Sequence, residues 1–216
     1  EVAAEAARRT IGWAARCRQA HTRQDQALFG IVQGGTYRDL REMCADRLAA
    51  LDLPGYAIGG LSVGEGPALM REVLDYLPAR LPADKPRYLM GVGLPEDIVE
   101  AVARGVDMFD CVIPTRCGRN GLAFTHAGRV KITNVEHRGS DRPLDPQCDC
   151  PACTRFSRAY LHHLFHAKEM LGLHLLSVHN IRYYTRLLEQ ARESIAAGTF
   201  AELRAAIRAA PVEEIE

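Results

Sequence analysis

Net charge is the first thing this sequence lacks. Its 216 residues carry 27 Lys+Arg against 27 Asp+Glu, so any contact with nucleic acid must come from a local basic patch and not from an overall field. No apolar run reaches membrane-spanning length, and no basic n-region leads into an apolar h-region. A disulfide framework is also missing: seven cysteines is an odd count, and Cys148, Cys150 and Cys153 fall within six positions, which suits metal binding in a reducing compartment. These absences predict a soluble, unexported protein of the cytoplasm with no membrane partner. Internal repeats and low-complexity tracts are wanting too. The chain opens on Glu1 inside an alanine- and arginine-rich helical pattern with no cap in front, and we expect from this that residues N-terminal to it are missing.

What is present is a recurring alternation of short apolar runs and helical stretches. The runs are 28–32 (LFGIV), 56–61 (YAIGGL), 87–92 (RYLMGV) and 106–113 (VDMFDCVI), apolar enough to be strands buried on both faces. Between them, Leu40, Met43, Cys44, Leu48 and Leu51 form one helical stripe and Leu69, Val73, Leu74 and Leu77 another. LPEDIVEAVARG supplies a third helical stretch. Strand and helix at this spacing predict the βα repeat of a parallel sheet, open or closed into a barrel. Polar and glycine residues punctuate the C-terminal ends of the runs: Gln33-Gly34-Gly35, Gly59-Gly60-Leu61-Ser62, Met90-Gly91-Val92-Gly93 and Asp110. One such end is ordinary turn chemistry. Four of them predict a shared site, because ligands bind at those ends of parallel strands.

Asp110 shares an expected strand face with Val106, Met108 and Val112, where a carboxylate is costly to bury unless used or paired. Asp107 on the opposite face is the bland alternative, a polar residue near a strand start. Pro114 is expected to end the strand and Thr115–Arg119 to form a loop, with Arg116 and Arg119 placed for phosphate or base contacts or simply in a solvated turn. Two alternating stretches around His126-Ala127-Gly128 predict a hairpin. Beyond it, Cys148-x-Cys150-x-x-Cys153 offers thiolates from one tight loop, a signal for a structural zinc site whose fourth ligand is a downstream histidine. On the residues alone His162, His163, His166, His174 and His179 are all candidates, with His179 favoured because the helix after Leu173 can return it over the loop. Phe156, Tyr160, His163 and Ala167 form a stripe on the helix after the zinc loop, either packed inside or available to a partner.

Taken together, GIVQGG, YAIGGLSVGE, RYLMGVG, GVDMFDCVIPTRCGRNG and the CDCPAC loop with a later His179-Asn180 resemble the queuine/preQ1 tRNA-ribosyltransferases, the tRNA-guanine transglycosylases, of bacterial type. The resemblance covers essentially the whole chain. It implies the second half of a (β/α)8 barrel (residues 1–120), an inserted hairpin with a zinc-binding helical subdomain (121–198) and a helical tail (199–216). It implies an enzyme that exchanges the wobble guanine of tRNA for preQ1 through a covalent Asp–ribose intermediate, with Asp110 as nucleophile.

By the same resemblance Gln33, Gly60, Leu61 and Met90 hold the base. Gly91, Val92, Gly93, Leu94, Pro95, Glu96 and Asp97, with Thr115, Arg116, Cys117, Gly118 and Arg119, grip the anticodon loop. Cys148, Cys150, Cys153 and His179 take one structural Zn2+, and the protein forms a homodimer through the Phe156–Ala167 stripe. Val63 stands where the queuine-inserting relatives resemble GGLSGGE, which narrows the pocket and favours preQ1. The second acid/base aspartate of the family lies outside the motifs found. A non-catalytic partner subunit or an inactive fragment of the same family are the alternatives.

Overall fold

The computed structural model describes residues 1–61, 64 and 66–210 and divides them into two compact units, the first running from Glu1 to Cys111 and the second beginning at Val112. Among the described residues no helix is long and apolar enough to cross a membrane.

In the first unit, α1 (Val2–Ala20) precedes three βα steps and a closing strand: β1 (Phe29–Val32), α2 (Arg38–Ala49), β2 (Gly55–Ile58), α3 (Pro67–Tyr76), β3 (Arg87–Leu89), α4 (Pro95–Val102) and β4 (Met108–Phe109). The strands form one parallel sheet in the order β1-β2-β3-β4, each pairing with the next in the chain. Registers such as Val32↔Ile58 and Ile58↔Leu89 align their C-terminal ends. This is an α/β arrangement consistent with part of a (β/α)8 barrel.

The helices close because their apolar stripes meet the sheet. Cys44 and Leu48 of α2, and Met70, Val73 and Leu74 of α3, are buried against Val32, Tyr56, Ile58 and Leu89. Leu40, Met43, Leu51 and Leu69 of the expected stripes are only partly covered. Both α3 and α4 begin on a proline, whose missing N–H costs nothing in a first turn that leaves N–H groups unpaired anyway.

The run 106–113 departs from expectation. Only Met108 and Phe109 pair as strand, and Ile113–Arg119 is a helix, α5, with Pro114 in its first turn. Proline therefore starts an element here where a strand end was expected, and the Thr115–Arg119 segment is helical, not a loop. The supposed common face of Val106, Met108, Asp110 and Val112 dissolves with it: Val106 is buried at 2% exposure, while Met108 and Val112 are 45% and 60% exposed.

The second unit continues with the hairpin β5 (Leu122–Thr125) and β6 (Gly128–Lys131), turning at His126-Ala127, then α6 (Pro151–Arg155), α7 (Arg158–His166), α8 (Met170–Ala197) and α9 (Phe200–Ala209). Phe156 lies ahead of α7 instead of on it, because Ser157 caps the helix by accepting from the Tyr160 N–H at 3.2 Å. The 28-residue α8 is the spine of this unit. It buries Leu175, Leu176, His179, Asn180, Tyr184 and Leu187 along one face.

α5 lies directly on α8, and Gly118 allows the approach: a Cβ there would sit 2.8 Å from the Ser177 nitrogen. The fully buried Asn180 ties three segments together. Its Nδ2 donates to the Pro114 and Leu122 carbonyls, both at 2.9 Å, and its Oδ1 accepts from the Phe124 N–H at 3.0 Å.

Candidate active site and metal centre

The aligned strand ends of the first unit bring the expected base-holding residues to one rim. Gln33 follows β1, Gly60 and Leu61 follow β2, Met90 follows β3 and Asp110 follows β4. Contacts link them from strand to strand. A Cβ on Gly60 would meet Gln33 Oε1 at 2.8 Å, the Met90 N–H donates to the Ile58 carbonyl at 3.2 Å, and the Gly91 N–H donates to Asp110 Oδ1 at 2.9 Å. Gly60 sits at φ +64°, a left-handed conformation that glycine adopts without a Cβ penalty. Ser62, Val63 and Glu65, including the position expected to narrow the pocket, lie outside the described residues.

Asp110 is exposed, so its carboxylate does not carry the burial cost weighed from the sequence, and it is held by two donors. Tyr88 Oη donates to Oδ1 at 2.7 Å alongside the Gly91 N–H. Both bonds fall on Oδ1. The Asp110 hydrogen bond, with some burial, raises the Tyr88 phenol above its ordinary pKa, so it stays a donor at neutral pH. Asp107 takes the plainer part: its Oδ2 accepts from the Arg87 N–H at 2.8 Å and closes the start of β3.

Of the 91–97 segment, Gly91 is exposed and Leu94 and Glu96 are half-buried, while Val92, Gly93, Pro95 and Asp97 are buried. Asp97 pairs with Arg71 at 3.2 Å. Burial pushes its carboxyl above the usual carboxylate range, more than Arg71 pulls it down. In the second unit Arg116 and Arg119, one helical turn apart on α5, are exposed, Thr115 is half-buried, and Cys117 and Gly118 face inward.

The same unit assembles the metal-ligating set. Cys148, Cys150, Cys153 and His179 place their ligand atoms within 4.8 Å of one another, and these four could hold a metal ion. His179 Nδ1 lies 3.5 Å from Cys150 Sγ and 3.3 Å from Cys153 Sγ. A tetrahedral ion with bonds of about 2.3 Å to sulfur and about 2.0 Å to nitrogen requires an S···N separation of about 3.5 Å, so the donor set fits. His179 Nε2 donates to the Phe124 carbonyl at 2.8 Å, which fixes the tautomer and leaves the Nδ1 lone pair for the ion. His162, His163, His166 and His174 are not in the cluster.

Several residues that build these sites were not singled out from the sequence. Tyr88 had a signal, since it stands two positions before Met90 and so on the same side of an extended chain. Asp145 is 2% exposed and accepts from the His126 and Gln147 N–H groups and the His126 ring, and its own carbonyl receives the Cys148 N–H at 3.2 Å. Burial pushes its carboxyl up, but those donors outweigh it and hold it below the ordinary range. Arg41 is wholly buried, and its guanidinium donates to the carbonyls of Gly35 (2.5 Å), Gly59 (3.0 Å) and Gly60 (3.0 Å). An apolar cavity of about 300 Å3 beside α1 and β1 is lined by Trp13, Cys17, Leu28 and Gln33 among others, but not by Gly60, Leu61, Met90 or Asp110.

Comparison with known proteins places this chain in a family. Residues 1–211 match the family profile described as "Queuine tRNA-ribosyltransferase", and the chain belongs to that family. Among proteins of that name, the one from Symbiobacterium thermophilum is 58% identical over 199 residues, 92% of this chain and 50% of its own length. That from Cereibacter sphaeroides is 54% identical over 214 residues (99% and 57%), and that from Pelotomaculum thermopropionicum 54% over 204 residues (94% and 55%). The chain thus spans about half the length of the curated relatives it matches.

Proposed function

We propose that the protein containing this chain exchanges the wobble guanine of tRNA for preQ1 by double displacement, with Asp110 as nucleophile. The observation that carries the reading is the Asp110 carboxylate itself, fixed at the strand-end rim through Oδ1 by Tyr88 and Gly91 while Oδ2 is left to attack. Oδ2 forms a bond to ribose C1′ as the bond from C1′ to the base nitrogen breaks, and guanine leaves with a proton. The incoming 7-deazaguanine gives up its ring N–H proton and displaces the aspartate, restoring the carboxylate. The group that moves these protons is assigned to none of the residues here. Gln33, the Gly60 N–H, the Leu61 carbonyl and Met90 hold the base. The Gly91–Asp97 and Thr115–Arg119 segments contact the anticodon loop through the exposed Gly91, Arg116 and Arg119 and the half-buried Leu94, Glu96 and Thr115, while the buried parts hold the backbone. The wobble base must be splayed out to be reached.

The test is covalent trapping on tRNA by the complete protein. Asp110→Asn is expected to abolish both the adduct and base exchange, and an adduct that persists in this variant removes Asp110 from the role. The preference for preQ1 rests on Val63 in the sequence, and a competition assay won by queuine would sink it. The ion in the Cys3His set is one zinc, and its role is structural because four protein ligands leave no open position. The four parallel strands form half of a closed barrel. A homodimer is supported by Tyr160, 39% exposed and stacked on Phe156 with ring centroids 5.1 Å apart, with His163 exposed beside it. A complete protein that scatters light as a monomer would count against the dimer. The cytoplasm is the compartment that fits free thiols and a tRNA substrate.

A further inference from the structure

The Gly60 N–H can bond the base only if its peptide plane is held in one orientation. That N–H belongs to the same peptide unit as the Gly59 carbonyl, and in a planar trans peptide the two point in opposite directions. The Gly59 carbonyl accepts from Arg41 Nη1 and the Gly60 carbonyl from Arg41 Nη2, both at 3.0 Å. Arg41 lies in α2, behind the rim, with no exposed surface. We propose that Arg41 is a positioning residue for base recognition: by gripping these two carbonyls it turns the Gly60 N–H outward. The proposal rests on the base-binding role given to Gly60 above.

The geometry explains why an arginine stands there. Desolvating a guanidinium is costly unless its donors are satisfied, so a buried arginine is retained where its forked donors meet fixed acceptors. Here a third donor, Nε, reaches the Gly35 carbonyl at 2.5 Å, so one planar group joins the loops after β1 and β2. Those loops carry Gln33, Gly60 and Leu61, three of the residues assigned to the base above. A glycine at φ +64° has little steric restraint of its own, and the arginine supplies the restraint that a side chain at that position would otherwise give. Lysine cannot replace it, because one ammonium on a flexible stem does not hold two consecutive carbonyls in a plane.

The consequence is a specificity effect. The Gly60 N–H is a donor, and the exocyclic acceptor guanine offers is its 6-oxo group. In 2,6-diaminopurine that oxygen is an amino group, which would meet the N–H donor to donor. A site aimed at the oxygen rejects the analogue by roughly 100-fold or more.

The experiment measures inhibition constants of guanine and 2,6-diaminopurine in tRNA base exchange, using the protein as the cell makes it, for wild type and Arg41→Lys. We expect the wild type to favour guanine strongly. The variant should lose at least about tenfold of that preference, with the loss appearing in KM for guanine before kcat. Arg41→Gln, which keeps two amide donors without the charge, carries the same comparison if the lysine variant does not fold. An unchanged preference in a folded variant overturns the proposal. So does failure of both variants to fold, since that assigns Arg41 to holding up the core. A wild type that neither exchanges nor binds guanine overturns the reading of the site itself, which separates the two outcomes.

Discussion

At the scale of single residues, Arg41 and Asp97 set charge against burial, at 0% and 7% exposure. Arg41 falls on the buried face of α2 with Cys44 and Leu48, at i, i+3 and i+7. An arginine in a predicted amphipathic helix is read as solvated by default, and only the positions of three backbone carbonyls reveal otherwise. Asp97 is the mirror case. It was expected to touch RNA, yet it is 7% exposed and paired with Arg71. Because burial raises its pKa above the unfolded carboxylate value of about 3.9, its contribution to stability is present below that value and lost as pH rises through the folded pKa. Wild type should therefore gain stability relative to Asp97→Asn as pH falls from 7 towards about 4. Urea midpoints for the two proteins across that range test the sign, and a difference independent of pH would mean that Asp97 is not desolvated.

At the scale of elements, the sheet was legible because strands buried on both faces leave an uninterrupted apolar signature, as in LFGIV and RYLMGV. The same signature misled at 106–113, where apolar residues run on past the last paired position and Pro114 opens α5. Hydrophobicity does not distinguish a strand from a half-buried first helical turn; cap and proline position do. The contact of α5 with α8 depends on Gly118, whose missing Cβ lets the helix backbones meet. Gly118→Ala should cost about 1–3 kcal/mol, by analogy with overpacked cores. A thermal melt within a degree of wild type would show that the helices shift apart at no expense.

At the scale of the whole molecule, the three cysteines announced a metal site, while the histidine could not be chosen by spacing. Five histidines followed the loop, and the course of α8 agrees with the choice of His179, placing it over the loop and against the Phe124 carbonyl. The β5–β6 hairpin, the cysteine loop and α8 therefore meet at one point. Stripping the ion with a chelator, or replacing Cys153 by serine, should lower the melting temperature by several degrees and release about one equivalent of metal per chain. Elemental analysis and calorimetry read the two quantities, and a melt indifferent to the chelator would assign the cluster no structural weight.

The spacing of that cluster also bears on the order in which the protein assembles. Cys148, Cys150 and Cys153 are neighbours along the chain, whereas His179 lies 26 residues beyond Cys153. Closing the small loops among the thiolates costs little chain entropy, and bringing in the distant imidazole costs more. An ion could therefore be held first by the three cysteines, and His179 would complete the set once α8 brings it in. Metal loading would then precede the docking of α8, and a refolding experiment in which metal uptake trails helix formation would reverse that order.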